Sequence, residues 1–144
     1  MRIRHVSQLP LGTDYTDLVH HIKDLVSHCS VENHATIVID AGGVGQAFVD
    51  FLRRSGPRAK IRPVGITGGS APSFSNGIQF VPKLELLSKL RVWLEAGALE
   101  IAAALPEAPR LRDELLNLRR AISTGGEIYE PEHGAQHDDL VMAL

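Results

Sequence analysis

The sequence predicts an α/β layered domain with a mixed, largely parallel sheet flanked by helices, and three observations carry that prediction. Short β-branched or apolar runs, TIVID at Thr36 to Asp40 and KIRPVGIT at Lys60 to Thr67, alternate with longer segments whose apolar residues recur at helical spacing. Glycine-rich turns, Gly42-Gly43-Val44-Gly45 and Gly68-Gly69-Ser70, follow the two runs. Such turns are expected where buried parallel strands hand over to loops at the carboxyl edge of a sheet. The 144 residues match the size of one domain, so the predicted boundary is 1–144.

Arg2 to Leu9 alternates Ile3, His5 and Ser7 against Arg4, Val6 and Gln8, and predicts a strand ended by Pro10 and Gly12. Thr13 or Asp14 is placed to cap a helix over Tyr15 to His28, with Leu18, Ile22, Leu25 and Val26 on one face. His20 and His21 fall in that helix, where adjacent side chains diverge by about 100°. They are therefore read as a solvated face and not as a metal pair. After the Thr36 to Asp40 strand, Gln46 to Arg54 predicts a helix through Ala47, Phe48, Phe51 and Leu52.

Lys60 to Thr67 predicts the next strand, and Gly68 to Gly77 a long polar loop that is mobile without a partner. Pro82 is read as the first position of a helix running to about Ala96, which Gly97 ends. A short strand over Leu99 to Ala102 precedes a helix over Leu111 to Ile122. A turn at Ser123 to Gly126, a last strand over Glu127 to Tyr129 and a helix starting near His137 complete the chain.

Composition narrows the function classes. With 44% hydrophobic and 22% charged residues the chain is of globular type. A net charge of −2 gives no overall basic signature of nucleic-acid binding, which leaves a local patch as the route to DNA. The single cysteine, Cys29, excludes an internal disulfide and a cysteine-rich zinc site, and points to an intracellular compartment. No apolar run reaches membrane-spanning length, and the N-terminal stretch lacks the apolar core of a secretion signal.

The glycines after Asp40 first suggest dinucleotide binding, but the third small residue of that motif is missing and no acid lies between Asp50 and Glu85 to hold a ribose. A G-x-x-x-x-G-K-[ST] phosphate loop is absent as well. What remains is carboxylate chemistry. Asp40 ends a buried strand where ligands collect, although a strand-ending Asp also serves to cap the following helix. The triplet His137-Asp138-Asp139 sits at a predicted helix start, where acids are favoured by capping and by the helix dipole. If the two places meet, the clustered carboxylates call for a cation, and oxygen ligands suit Mg²⁺ or Mn²⁺.

In order and separation, PLGT-Y at Pro10 to Tyr15, IDAGGVG, GITGGS, VPK at Val81 to Lys83 and the terminal HDDLVMAL resemble the nuclease domain of tailed-phage terminase large subunits. That domain is similar to the ribonuclease-H and Holliday-junction-resolvase fold. The resemblance implies a metal-dependent endonuclease that cuts viral DNA during packaging, in the cytoplasm of a bacterial host. Its two-metal site would draw on Asp40, Asp138 and Asp139 as ligands, with His137 orienting a water or contacting a metal, and Asp139 the favoured ligand of the pair. Lys60, Arg62 and Lys83, with Gly68, Gly69 and Ser70, are the residues expected to meet DNA phosphates, against a plain solvated surface for each. Double-stranded DNA, other terminase subunits or the portal are the implied partners.

In the family, a first acid lies on a strand upstream of the segment that resembles Met1 to Leu9, and the packaging ATPase precedes that strand. The chain is accordingly expected to be an N-terminally truncated form of the domain, with weak or no activity alone. The alternative is a catalytically silent DNA- or protein-binding module. Without the upstream strand, Arg2 to Leu9 is expected either to close against Thr36 to Asp40 or to leave an edge that drives dimerisation or aggregation.

Overall fold

Runs of β-branched residues become strands here only where a neighbour completes their hydrogen bonds. The computed structural model describes residues 1–28, 34–123, 126–131 and 139–144, and of 117–123 and 126–131 the backbone alone. Its elements are β1 (Arg2–Ile3), α1 (Tyr15–His28), β2 (Thr36–Asp40), α2 (Gly45–Arg54), β3 (Lys60–Thr67), β4 (Ser73–Ser75), β5 (Ile78–Pro82), α3 (Lys83–Glu95), β6 (Glu100–Ile101), α4 (Ala108–Asn117), β7 (Leu118–Ser123), β8 (Gly126–Pro131) and α5 (Asp139–Met142). They form two compact units, one of residues 10–82 and the other of residues 1–9 with 83–144. The architecture is mixed α/β with a largely parallel sheet and flanking helices, consistent with a ribonuclease-H-like layered fold.

In the unit of residues 10–82, a four-stranded sheet runs in the order β2-β3-β5-β4. β2, β3 and β5 are parallel, with Asp40 opposite Val64 and Val64 opposite Gln79. β4 joins antiparallel, Phe74 facing Gln79. Asp14 caps α1, its Oδ1 accepting the Asp17 N–H at 2.9 Å. Val19, Phe48 and Leu52 of α1 and α2 are buried together, with Ile37, Ile39 and Ile61 of the sheet packed against them. That assigns one face of the sheet to the helices. Gly65 is needed on this face because a Cβ there would come within 2.5 Å of the Phe80 ring.

In the other unit, β1 pairs in parallel with β6, Arg2 opposite Glu100 and Ile3 opposite Ile101. Its core joins Leu87 and Leu90 of α3 to Leu99, Leu111, Leu140 and Val141, with Ile3 and Val6 against them. β7 and β8 make an antiparallel hairpin from Leu118 opposite Pro131 to Ser123 opposite Gly126.

Four sequence expectations are corrected. The strand predicted for Arg2 to Leu9 is two residues long and pairs with β6 in a separate sheet, not with Thr36 to Asp40, which stays an edge strand. Its mixed faces leave only Ile3 and Val6 to bury, too little apolar pattern for a longer strand. Within the predicted loop Gly68 to Gly77, Ser73–Ser75 is a strand turned by Asn76 (φ +51°) and Gly77 (φ +77°), the two positive φ values of a tight hairpin. Pro82 ends β5, and the following helix starts at Lys83, because Pro82 is still in register with Thr67. The helix predicted over Leu111 to Ile122 stops at Asn117, since the backbone from Leu118 onward pairs with β8. Cys29, His137 and Asp138 lie outside the described residues, as does the middle of the Ser123 to Gly126 turn.

Candidate metal and nucleic-acid site

β2 brings Asp40 to the carboxyl end of the sheet, and the ladder continues one residue further, where the Ala41 N–H donates to Val64 O at 2.7 Å. The chain then reverses tightly. Asp40 Oδ1 accepts the Gly42 N–H at 2.8 Å, a side-chain turn typical of Asp, and the Gly45 N–H donates to Gly42 O at 2.9 Å. Gly43 holds φ +54°. A Cβ on Gly45 would stand 2.1 Å from the Asp40 carbonyl oxygen, so only glycine lets α2 start this close to the strand end.

This geometry separates the two roles that sequence left open for Asp40. The N-cap of α2 is Val44, with no side-chain cap bond. Asp40 therefore organises its own turn and does not cap the helix, and its carboxylate is exposed.

Residues paired across neighbouring strands point to the same face. Thr36 faces Lys60 and Val38 faces Arg62, so Thr36, Val38, Asp40, Lys60 and Arg62 share the face opposite the helices, and all five are exposed, Val38 at 63%. Lys60 and Arg62 stand two residues apart, about 6.5 Å along the strand. Because β2 and β3 are parallel, the Gly68-Gly69-Ser70 bend after β3 lies at the same sheet edge as the Asp40 turn. Arg62 and Lys60 thus form a small cationic strip on the face that ends in Asp40.

Asp139 opens α5 in the other unit and is exposed. Lys83, the first residue of α3, also belongs to that unit and is half-buried. Among the described residues, no group of three or more His, Cys, Asp or Glu is placed to hold a metal ion.

Glu114 is the acid that sequence reasoning passed over. It is 5% exposed, and its Oε2 accepts the N–H groups of Leu140 at 2.9 Å and Val141 at 3.2 Å. Arg110 Nε stands 3.4 Å from its Oε1, close enough for charge attraction but without hydrogen-bond geometry for either atom. Burying a carboxylate costs several kcal/mol unless partners offset it, and here two backbone donors and one guanidinium do so. The available signal was an acid on the apolar stripe of Leu111 and Leu115.

No family model matches the chain, and no solved structure matches it. Over 133 residues, 92% of its length, it is 29% identical to the terminase large subunit of Thermus phage G20c and to that of Thermus virus P23-45. The matched stretch is 23% of each of those proteins, so the chain spans about a quarter of the curated relatives it matches. In sequence, then, the chain is similar to one part of a terminase large subunit.

Proposed function

We propose that this chain is the nuclease segment of a terminase large subunit, hydrolysing phosphodiester bonds of double-stranded DNA with Mg²⁺ or Mn²⁺. The observation that carries the reading is Asp40: an exposed carboxylate at the carboxyl end of a parallel strand, not used to cap α2, on one sheet face with Arg62 and Lys60. Similarity to terminase large subunits over 92% of the chain supports it. In this reading Asp40 is a ligand, Asp138 and Asp139 are the further oxygen donors, and His137 orients water. Exposed carboxylates are hard donors that fit Mg²⁺ and Mn²⁺ better than zinc. When bound, such ions supply an activated water and stabilise the leaving oxygen of an in-line attack. Lys60 and Arg62 draw the phosphate backbone to the sheet face, a contact that weakens as salt rises. Lys83 is a further cation for DNA, and the Gly68-Gly69-Ser70 bend offers backbone N–H groups unobstructed by large side chains. Other terminase subunits and the portal are the protein partners of such a segment.

Plasmid nicking in Mn²⁺, paired with Mn²⁺ titration by calorimetry, tests this on wild type and Asp40→Asn. The expected result is metal binding and at most weak nicking by wild type, with both lost in the variant. Equal Mn²⁺ binding by the two proteins overturns the metal assignment. Retention of DNA by a wild-type chain that never nicks it makes the protein a DNA-binding module instead.

A further inference from the structure

We infer that Glu114 is a positioning residue: it holds the first turn of α5 from a distance and thereby spares Asp139 from capping duty. This rests on the reading of Asp139 as a metal ligand.

A helix of four residues does not sustain itself, so α5 (Asp139–Met142) depends on what holds it. Burial of Leu140 and Val141 supplies one hold. The second is polar. The N–H groups of Leu140 and Val141 are among those that a helix start leaves without partners, and both are taken by Glu114 Oε2. Glu114 reaches them from α4, 26 and 27 residues away in sequence.

A local Asp capping its own helix is the simpler solution, with no charge taken into the core. Asp139 stands at that start, yet the acceptor for these two N–H groups is a buried carboxylate from another helix. Stability alone does not favour this choice, because a well-packed apolar residue in place of a buried charge is often as good or better. A carboxylate at position 114 instead supplies direction: it fixes where the backbone of residues 140 and 141 lies, and with it the Cα of Asp139. The exposed Asp139 carboxylate is not needed as the acceptor for these two N–H groups. Groups that orient metal ligands without touching the metal are commonly as decisive as the ligands.

The test uses the full 144-residue chain with Glu114→Ala, Glu114→Gln and Asp139→Asn. Gln keeps one oxygen able to accept both N–H groups; Ala keeps none. In metal-free buffer, amide exchange at Leu140 and Val141 is expected to rise about tenfold or more in Glu114→Ala, with Leu87 and Leu90 unchanged. Mn²⁺ affinity, read by calorimetry, is expected to fall about 10- to 100-fold in the same variant, and Glu114→Gln is expected to restore both to near wild type.

Unchanged exchange at Leu140 and Val141, or an equal rise at Leu87 and Leu90, overturns the inference. So does an Ala variant that binds Mn²⁺ like wild type while Asp139→Asn does not. Where the Ala variant does not fold, the Gln variant decides: protection of Leu140 and Val141 near wild type supports the clamp, and its loss overturns it. Wild type and Asp139→Asn binding Mn²⁺ alike instead removes the metal reading, a result separate from the metal-free exchange measurement.

Discussion

Residues 10–82 and the unit made of residues 1–9 with 83–144 fix their acids by different means. Asp40 is held by backbone: a five-residue parallel strand, an Asp turn to Gly42, and Gly45 pressed against the Asp40 carbonyl. Asp139 is held by side chains from afar, through Glu114 and through the burial of Leu140 and Val141 among Leu87, Leu90, Leu99 and Leu111. The difference teaches where each acid is vulnerable. The first depends on what a glycine lacks, the second on what a distant helix provides.

The hardest blow to the backbone-built region is Gly45→Ala. Its Cβ would lie 2.1 Å from Asp40 O and 3.0 Å from Asp40 C, both backbone atoms that no rotamer change relieves. We expect a loss above about 4 kcal/mol, in the range reserved for few mechanisms, seen as a large fall in the urea midpoint. Gly68→Ala is the control, because nothing lies within 4 Å of its Cβ and its φ is not in the left-handed range; it should stay within about 0.5 kcal/mol of wild type. Similar midpoints for the two variants would refute the claim that backbone contact fixes the Asp40 turn.

The core of each unit can be compared directly through Leu52→Ala and Leu111→Ala, since both leucines are fully buried. Each truncation should cost about 2–5 kcal/mol in denaturant unfolding. The sharper readout is local: Leu111 packs in the cluster with Leu140 and Val141, so its truncation should speed amide exchange at those two residues. If Leu111→Ala leaves their protection intact, packing contributes nothing to holding α5 and Glu114 carries it alone.

The same contrast explains what could be read in advance. Tyr15–His28, Thr36–Asp40 and Lys60–Thr67 were predictable to the residue, because their pattern, caps and glycine stops lie within one local window. Asn76-Gly77 also carried a local message, the tight-turn dipeptide between Ser75 and Ile78, which was absorbed into a polar loop by its serines and glycines. The end of α4 was not legible in this way. Leu118–Ser123 continues a helical leucine pattern, and only pairing with β8 turns it into strand. At the site, the position of Asp40 at a strand end followed from its neighbours in sequence. Glu114 did not, because its partners are backbone groups 26 and 27 residues later, and no pattern of side chains announces them.

The smallest expected effect concerns how little a surface charge adds to the side-chain-built unit. Arg2 Nε and Glu100 Oε2 are 2.7 Å apart across the β1–β6 pair, with side chains 62% and 61% exposed. Water and salt screen such a pair, so Glu100→Gln should cost about 0.2–1 kcal/mol at low salt and nearly nothing near 1 M, where the screening length is about 3 Å. β1 pairs at only two positions, yet Ile3 and Ile101 pack against the buried cluster of Leu87, Leu90 and Leu111. That apolar contact, not the ion pair, is what we expect to keep the strand in register. Amide exchange at Ile3 and Ile101 in low and high salt measures the balance. If Glu100→Gln loses β1 protection at both salt concentrations, the Glu100 carboxylate, and not the apolar contact, holds the strand, and this edge depends on a single exposed contact.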